Sequence, residues 1–184
     1  MKILGLSGSL RKASLNTALL RAMSGLAPAG VELRVETAHG IPLYDGDLED
    51  SAGIPPAVEK LKRAILEADG LILATPEYNG SMPGVLKNSI DWLSRPPADI
   101  AKVFRGRPVG LAGATIGGFG TILGQNAWLP VLHALGARPW FGARILAARA
   151  QNGIDANGVI TDEALKEQLR RFVLGFTEFI GAPR

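Results

Sequence analysis

The chain predicts a doubly wound α/β domain, a five-stranded parallel sheet in the order 2-1-3-4-5 with helices on both faces. Three observations lead there. Strand-like and helix-like segments alternate through all 184 residues with no internal linker, which reads as one domain over 1–184. Such alternation makes a parallel sheet, because each crossover helix returns the chain in the same direction. Three of the strand-like runs, 2–7, 70–75 and 108–114, are almost wholly apolar, as strands covered on both faces must be.

Taken in order, Lys2 to Ser7 is the first strand and Gly8 to Ser14 a loop. A helix follows from Leu15, because Leu15, Ala18, Leu19, Ala22, Met23 and Leu26 recur at helical spacing, with Ser14 as its N-cap. Val31 to Val35 alternates apolar and polar, the pattern of a half-buried edge strand. Residues 38–54 read as a long loop, and Pro55-Pro56 open a helix whose buried stripe is Val58, Leu61, Ile65 and Ala68. Gly70 to Thr75 is the third strand, Pro76 to Gly84 a loop, and Gly84 to Trp92 a helix ended by Pro96-Pro97. Pro108 to Ala114 is the fourth strand, and a helix over 122–135 is interrupted at Pro130. Arg138 to Ile145 is the fifth strand. The last helix runs from Asp162 to Ile180 on Leu165, Leu169, Val173 and Phe176. Five strands favour the flavodoxin-like order over the other doubly wound arrangement.

Composition removes whole classes of chemistry. With no cysteine there is no disulfide, thiolate catalysis or iron–sulfur ligation. The two histidines, His39 and His133, stand far apart without paired carboxylates, so no metal site is expected. The net charge of +3 comes without a basic stripe, so nucleic acid is not an expected partner. Lys60, Lys62 and Arg63 read as a solvated helix face. No run is long enough to span a membrane and none resembles a signal peptide, so a cytoplasmic location is expected.

In this fold ligands bind at the carboxyl ends of the strands. Loops 8–14, 76–83 and 115–120 should meet there, the first two at the switch point between strands one and three. In the first, Ser9, Arg11, Ser14, Asn16 and Thr17 gather donors at a helix N-terminus, where free N–H groups and the helix dipole suit a phosphate. It is neither Gly-x-Gly-x-x-Gly nor a P-loop, so one terminal phosphate fits better than a dinucleotide or triphosphate. The second loop, Pro76-Glu77-Tyr78-Asn79-Gly80-Ser81-Met82-Pro83, offers amides and a ring but no nucleophile, which suits gripping a planar heterocycle.

These two stretches, with Leu86-Lys-Asn-Ser-Ile-Asp-Trp-Leu-Ser-Arg95 and the ending from Gln151-Asn-Gly-Ile-Asp, resemble the NAD(P)H-dependent FMN reductases in their bacterial quinone/chromate reductase branch. The resemblance implies two-electron transfer from NADPH or NADH through FMN to quinones or similar acceptors. The cofactor would carry the chemistry, with no catalytic side chain. It implies that Ser9, Arg11, Ser14, Leu15, Asn16 and Thr17 hold the FMN phosphate. Pro76, Glu77, Tyr78, Asn79 and Gly80 would line the isoalloxazine and ribityl chain. The loop after strand four departs from the family's serine-rich turn and Gly-Gly-x-Arg, so only Thr115 and Gly117 carry over. The family commonly assembles through the helix after the second loop, implying a homodimer or homotetramer.

Arg95 has two readings, steering of an anionic or nicotinamide-bearing substrate and capping of a helix C-terminus. Asp45 and Asp47 read as turn residues, the three tryptophans as core or subunit interface, and His133 as a packed helical residue. Three other functions stay open, one of them a non-catalytic nucleotide-binding module, which a colourless protein binding no flavin would favour. A flavodoxin-type electron carrier would be steered by an acidic surface, which this chain lacks. A reductase releasing free reduced FMN to a monooxygenase would lose its flavin on gel filtration.

Overall fold

The computed structural model describes residues 1–182. In chain order the elements are β1 (Lys2–Ser7), α1 (Leu15–Gly25), β2 (Glu32–Thr37), α2 (Gly46–Ala52), α3 (Pro56–Leu66), β3 (Gly70–Ala74), α4 (Gly84–Leu93), α5 (Ile100–Val103), β4 (Pro108–Ala114), α6 (Ile122–Ala134), β5 (Arg138–Pro139), β6 (Ile145–Ala147) and α7 (Glu163–Gly181). The sheet order is β2-β1-β3-β4-β5, with β6 also on β4, and every pairing is parallel. The expected flavodoxin-like order is therefore the observed one, with β2 at the edge.

Two cores sandwich the sheet because successive strand residues point to opposite faces. Ile3, Ile72, Ala74, Ala112 and Ala114 meet α1 and α7 on one side. Leu4, Leu6, Leu71, Leu73, Val109 and Leu111 meet α3, α4 and α6 on the other. Each fully buried Leu, Ile or Phe contributes about 1.5–3 kcal/mol relative to exposure. Glycines set the depth of the first packing: a Cβ at Gly5 would lie 2.8 Å from Leu20, and one at Gly110 3.0 Å from Phe172. Small residues there let α1 and α7 sit directly on the strands.

Several expectations are corrected. Residues 38–54 are not all loop, since α2 forms within them. Asp45 makes the expected side-chain turn, accepting from Asp47 N at 2.9 Å, and thereby caps α2, while Asp47 lies in the first turn of the helix rather than in a turn of its own. A short helical stretch, 97–103, follows the two prolines. Pro130 sits inside a continuous α6 and does not interrupt it. His133 is exposed, on the outer side of that helix. Lys62 is buried at 4 % exposure, not solvated; its ammonium donates to Arg95 O at 2.6 Å and to Asp99 at 3.1 Å. Two acceptors make burial of the charge tolerable.

The fifth strand is split. Val109 pairs with Pro139 and Ala112 with Ile145, so three residues of β4 span six on its neighbour. The excess bulges out where Trp140 turns its ring onto Phe172, Phe176 and Phe179 of α7. Trp92 and Trp128 are fully buried.

Candidate functional site

The loops after β1, β3 and β4 enclose a cleft of about 240 Å³ at the carboxyl edge of the sheet. Its walls include Ser9, Arg11, Ser14, Leu15, Asn16, Pro76, Glu77, Tyr78 and Thr115, all singled out from the sequence. Ala13, Ala114 and Ile116 also line it. Nothing in their chemistry could have flagged the alanines, which are there because of where β1 and β4 end. Thr17, Asn79, Gly80, Gly117 and Arg95 do not line it.

The first loop divides its polar groups between holding itself and facing out. Ser14 Oγ accepts from Thr17 N at 3.1 Å, the expected cap. Thr17 Oγ1 is bonded to Ser7 Oγ at 2.8 Å, tying α1 to the end of β1. The Asn16 amide donates to Ala114 O at 3.0 Å and its oxygen accepts from Ala114 N at 2.9 Å. These two side chains were expected among the phosphate donors, and the structure instead uses them as clamps to β1 and β4. What remains for a ligand is the backbone. The N–H groups of Leu15 and Asn16 precede the first intrahelical bond, which is Ala18 N to Ser14 O, and have no partner among the described residues. Arg11 is exposed beside them and forms no ion pair among the described residues.

The loop after β3 is built differently. Tyr78 and Ser81 exchange both backbone hydrogen bonds at 3.0 Å, closing a two-residue hairpin. Asn79 and Gly80 form its turn with φ of 52° and 72°. This left-handed pair is what Asn-Gly supplies at little cost. Tyr78 is half exposed at the mouth of the cleft. Glu77 Oε2 accepts from Leu123 N and Gly124 N, each at 2.9 Å. The helix's own N-cap residue, Thr121, makes no side-chain cap to the helix backbone, its hydroxyl accepting from Gln125 Nε2 instead. Glu77 thus caps α6 from another loop, satisfying orphan donors and complementing the dipole. Beneath the loop, Trp128 Nε1 donates to Thr75 Oγ1 at 3.1 Å, and that hydroxyl donates to Pro76 O at 2.8 Å.

A third wall comes from beyond β4. Thr115 Oγ1 accepts from Gly117 N at 3.2 Å, and Gly117 O accepts from Arg149 N at 2.8 Å. The loop is thereby tied to the chain leaving β6.

Arg95 lies elsewhere, at the end of α4. Its Nε donates to Glu49 Oε2 at 2.8 Å, and its guanidinium lies 5.7 Å over the Tyr44 ring. The Arg95 hydrogen bond pulls the Glu49 carboxyl below its ordinary value, and the same pairing raises the Arg95 value. Desolvation, then the hydrogen bond to Glu49, raises Tyr44.

An open parallel sheet in this order, with unpaired backbone donors and an aromatic hairpin facing one another at its switch point, defines a flavodoxin-like nucleotide-binding protein. Residues 1–152 match the family model of NADPH-dependent FMN reductases. An NAD(P)H-dependent FMN reductase of Pseudomonas aeruginosa is 43% identical over 171 residues, covering 93% of this chain and 90% of that protein. A quinone reductase of Escherichia coli K12 is 36% identical over 182 residues, covering 98% and 95%. Among solved structures, FerB, the flavoenzyme NAD(P)H:(acceptor) oxidoreductase of Paracoccus denitrificans, superposes with a TM-score of 0.82 at 32% identity, covering 97% and 96%. The chain belongs to the NADPH-dependent FMN reductase family, and it is an FMN-dependent NAD(P)H oxidoreductase.

Proposed function

We propose that the cleft holds FMN by the residues named above and that the acceptor is a quinone or a similar small oxidant. The observation that carries this is the meeting, in one cleft, of unpaired N–H groups at the α1 N-terminus with a rigid, ring-bearing hairpin. Bound there, FMN would supply the two-electron chemistry that no side chain in the cleft can. The residues fit the group. The Leu15 and Asn16 amides, with Arg11, suit a terminal phosphate. Ser9 and Ser14 complete the wall around it, and Thr17 and the Asn16 side chain hold the cup's shape. Pro76, Glu77 and Tyr78 suit the ring and ribityl chain, and the turn amides of Asn79 and Gly80, next in the chain beyond the cleft wall, are preorganised donors for a ring that extends past Tyr78. Thr115 bounds the third side, and Gly117 holds it in place by donating to the Thr115 hydroxyl.

For Arg95 we propose an anchoring role, pinning α2 to the end of α4. The substrate-steering alternative requires it to leave Glu49. We also propose a homo-oligomer, supported by the exposed apolar side chains of Ile116, Phe119, Leu123 and Phe141, and a cytoplasmic location, where NADPH and NADH are made and used.

The test is a visible spectrum of the purified protein, then anaerobic titration with NADPH and addition of a quinone. A stoichiometric flavin spectrum, bleached by NADPH and restored by quinone, is expected. A colourless protein that takes up no FMN, or a bound flavin that NADPH leaves coloured, would overturn the proposal. Retention of FMN through gel filtration separates it from a reductase that releases its flavin.

A further inference from the structure

A second cavity, of about 550 Å³, lies across the first loop from the cleft. Ala13, Ser14 and Leu15 line both, so the loop is a ridge between two adjoining hollows. Neighbouring cations fall on opposite sides of it: Arg11 lines the cleft and Lys12 the second cavity. Arg21 adds another cation, two helical turns beyond Ser14 on the same face of α1. The far wall is the segment 154–160, closed by a bridge between Ile154 and Ile160 and packed so that a Cβ at Gly158 would touch Ala18 at 3.4 Å.

The polar groups here are unevenly satisfied. Lys12 and Arg21 make no ion pair or hydrogen bond among the described residues. Elsewhere on the surface Lys87, Lys102, Lys166, Arg170 and Arg171 are each paired with a carboxylate, while Arg11, Arg63 and Arg105 are unpaired among the described residues. Asp155, the one acid lining the cavity, spends Oδ1 on Asn157 N at 2.9 Å and Val159 N at 2.8 Å. Its other oxygen is free to accept from an amine. Ala13, Leu15 and Ala156 supply the accessible apolar surface of the cavity, over the buried Ala18 and Ile154.

Two unpaired cations for a phosphate, an apolar wall for a ring and one free carboxylate oxygen for an exocyclic amine describe a phosphorylated adenosine. We infer that this cavity takes the adenosine 2′-phosphate end of NADPH, so that Lys12 and Arg21 set the preference for NADPH over NADH. The volume is within the range of small-molecule sites. An Arg–phosphate contact also has the strength to discriminate, since charge-assisted bonds are about twice as strong as neutral ones. The inference rests on the reading of the chain as an NAD(P)H reductase.

The experiment uses the FMN-loaded protein and the variants Arg21→Gln and Lys12→Gln. Binding of 2′,5′-ADP and of 5′-AMP is measured by calorimetry, and kcat/KM with NADPH and with NADH by quinone reduction. Wild type should bind 2′,5′-ADP about tenfold or more tightly than 5′-AMP, a difference of about 1.4 kcal/mol or more. Arg21→Gln should erase most of that difference and raise KM for NADPH alone, with FMN affinity and NADH turnover unchanged. Lys12→Gln should act in the same direction. Equal binding of the two nucleotides, or an equal loss with both donors, would overturn the inference. If the protein oxidises neither nicotinamide, the reductase reading fails, and the 2′,5′-ADP titration still decides the site.

Discussion

The loops after β1 and β3 face each other across one cleft, yet they handle their backbone groups in opposite ways. The first leaves N–H groups of α1 open and uses its side chains, Thr17 and Asn16, to fasten the loop to β1 and β4. The second closes its backbone between Tyr78 and Ser81 in a hairpin and uses Glu77 to fasten itself to α6. An anion needs donors that are free and already aimed, because a donor bonded elsewhere must first be released. A flat ring needs a surface of fixed shape, which a closed turn provides. Substitutions should therefore separate binding from stability in the first loop and couple them in the second.

The largest effect should come from Asn16→Leu. It would leave the buried N–H and C=O of Ala114 without partners, at about 1–3 kcal/mol for each group. Urea denaturation of the FMN-free protein should show a loss of roughly 3 kcal/mol. A loss below about 1 kcal/mol would mean that the amide is free to serve a ligand instead. Arg11→Ala should do the reverse. FMN affinity, read by fluorescence quenching, should fall by about 1.5–3 kcal/mol, and the melting temperature without flavin should not move. A large fall in that temperature would make Arg11 structural and erase the contrast.

Glu77 probes the other loop. Glu77→Ala uncovers two N–H groups that water can reach, so stability should drop by about 1 kcal/mol, the worth of a cap. Glu77→Gln keeps an acceptor oxygen and loses only the charge. Its kcat/KM for quinone reduction should stay within about tenfold of wild type, or roughly 1.4 kcal/mol of barrier. A hundredfold fall at full FMN occupancy would make Glu77 a proton-transfer group rather than an anchor.

The smallest effect lies away from both loops. Glu49 has its carboxyl lowered chiefly by the Arg95 hydrogen bond. A carboxyl lowered on folding adds stability above its unfolded value, and that stability is lost as pH falls through the folded one. Wild type should thus lose stability below pH 4.5 more steeply than Glu49→Gln, by thermal melts across pH. Identical acid limbs would show the pair to be inert.

Local pattern was enough for the strand order, for both cores, for the Ser14 cap and for the gathering of three loops at one edge. Each depends on period, on capping chemistry or on crossover handedness, which a run of residues carries by itself. Residue type also marked the β1 and β3 loops as the chemically interesting ones. It could not say which groups were already in use. Asn16 reads as a ligand donor until Ala114, 98 residues later, takes both ends of its amide. Lys62 reads as solvated until Arg95 O and Asp99 close over it. Glu77 reads as a loop carboxylate with both oxygens available until α6 presents two uncapped N–H groups to one of them. The fifth strand reads as continuous until Trp140 finds a better place among the phenylalanines of α7. In every case the deciding partner is remote in the chain. A polar or aromatic side chain goes wherever its burial is best satisfied, and only the folded chain shows where that is.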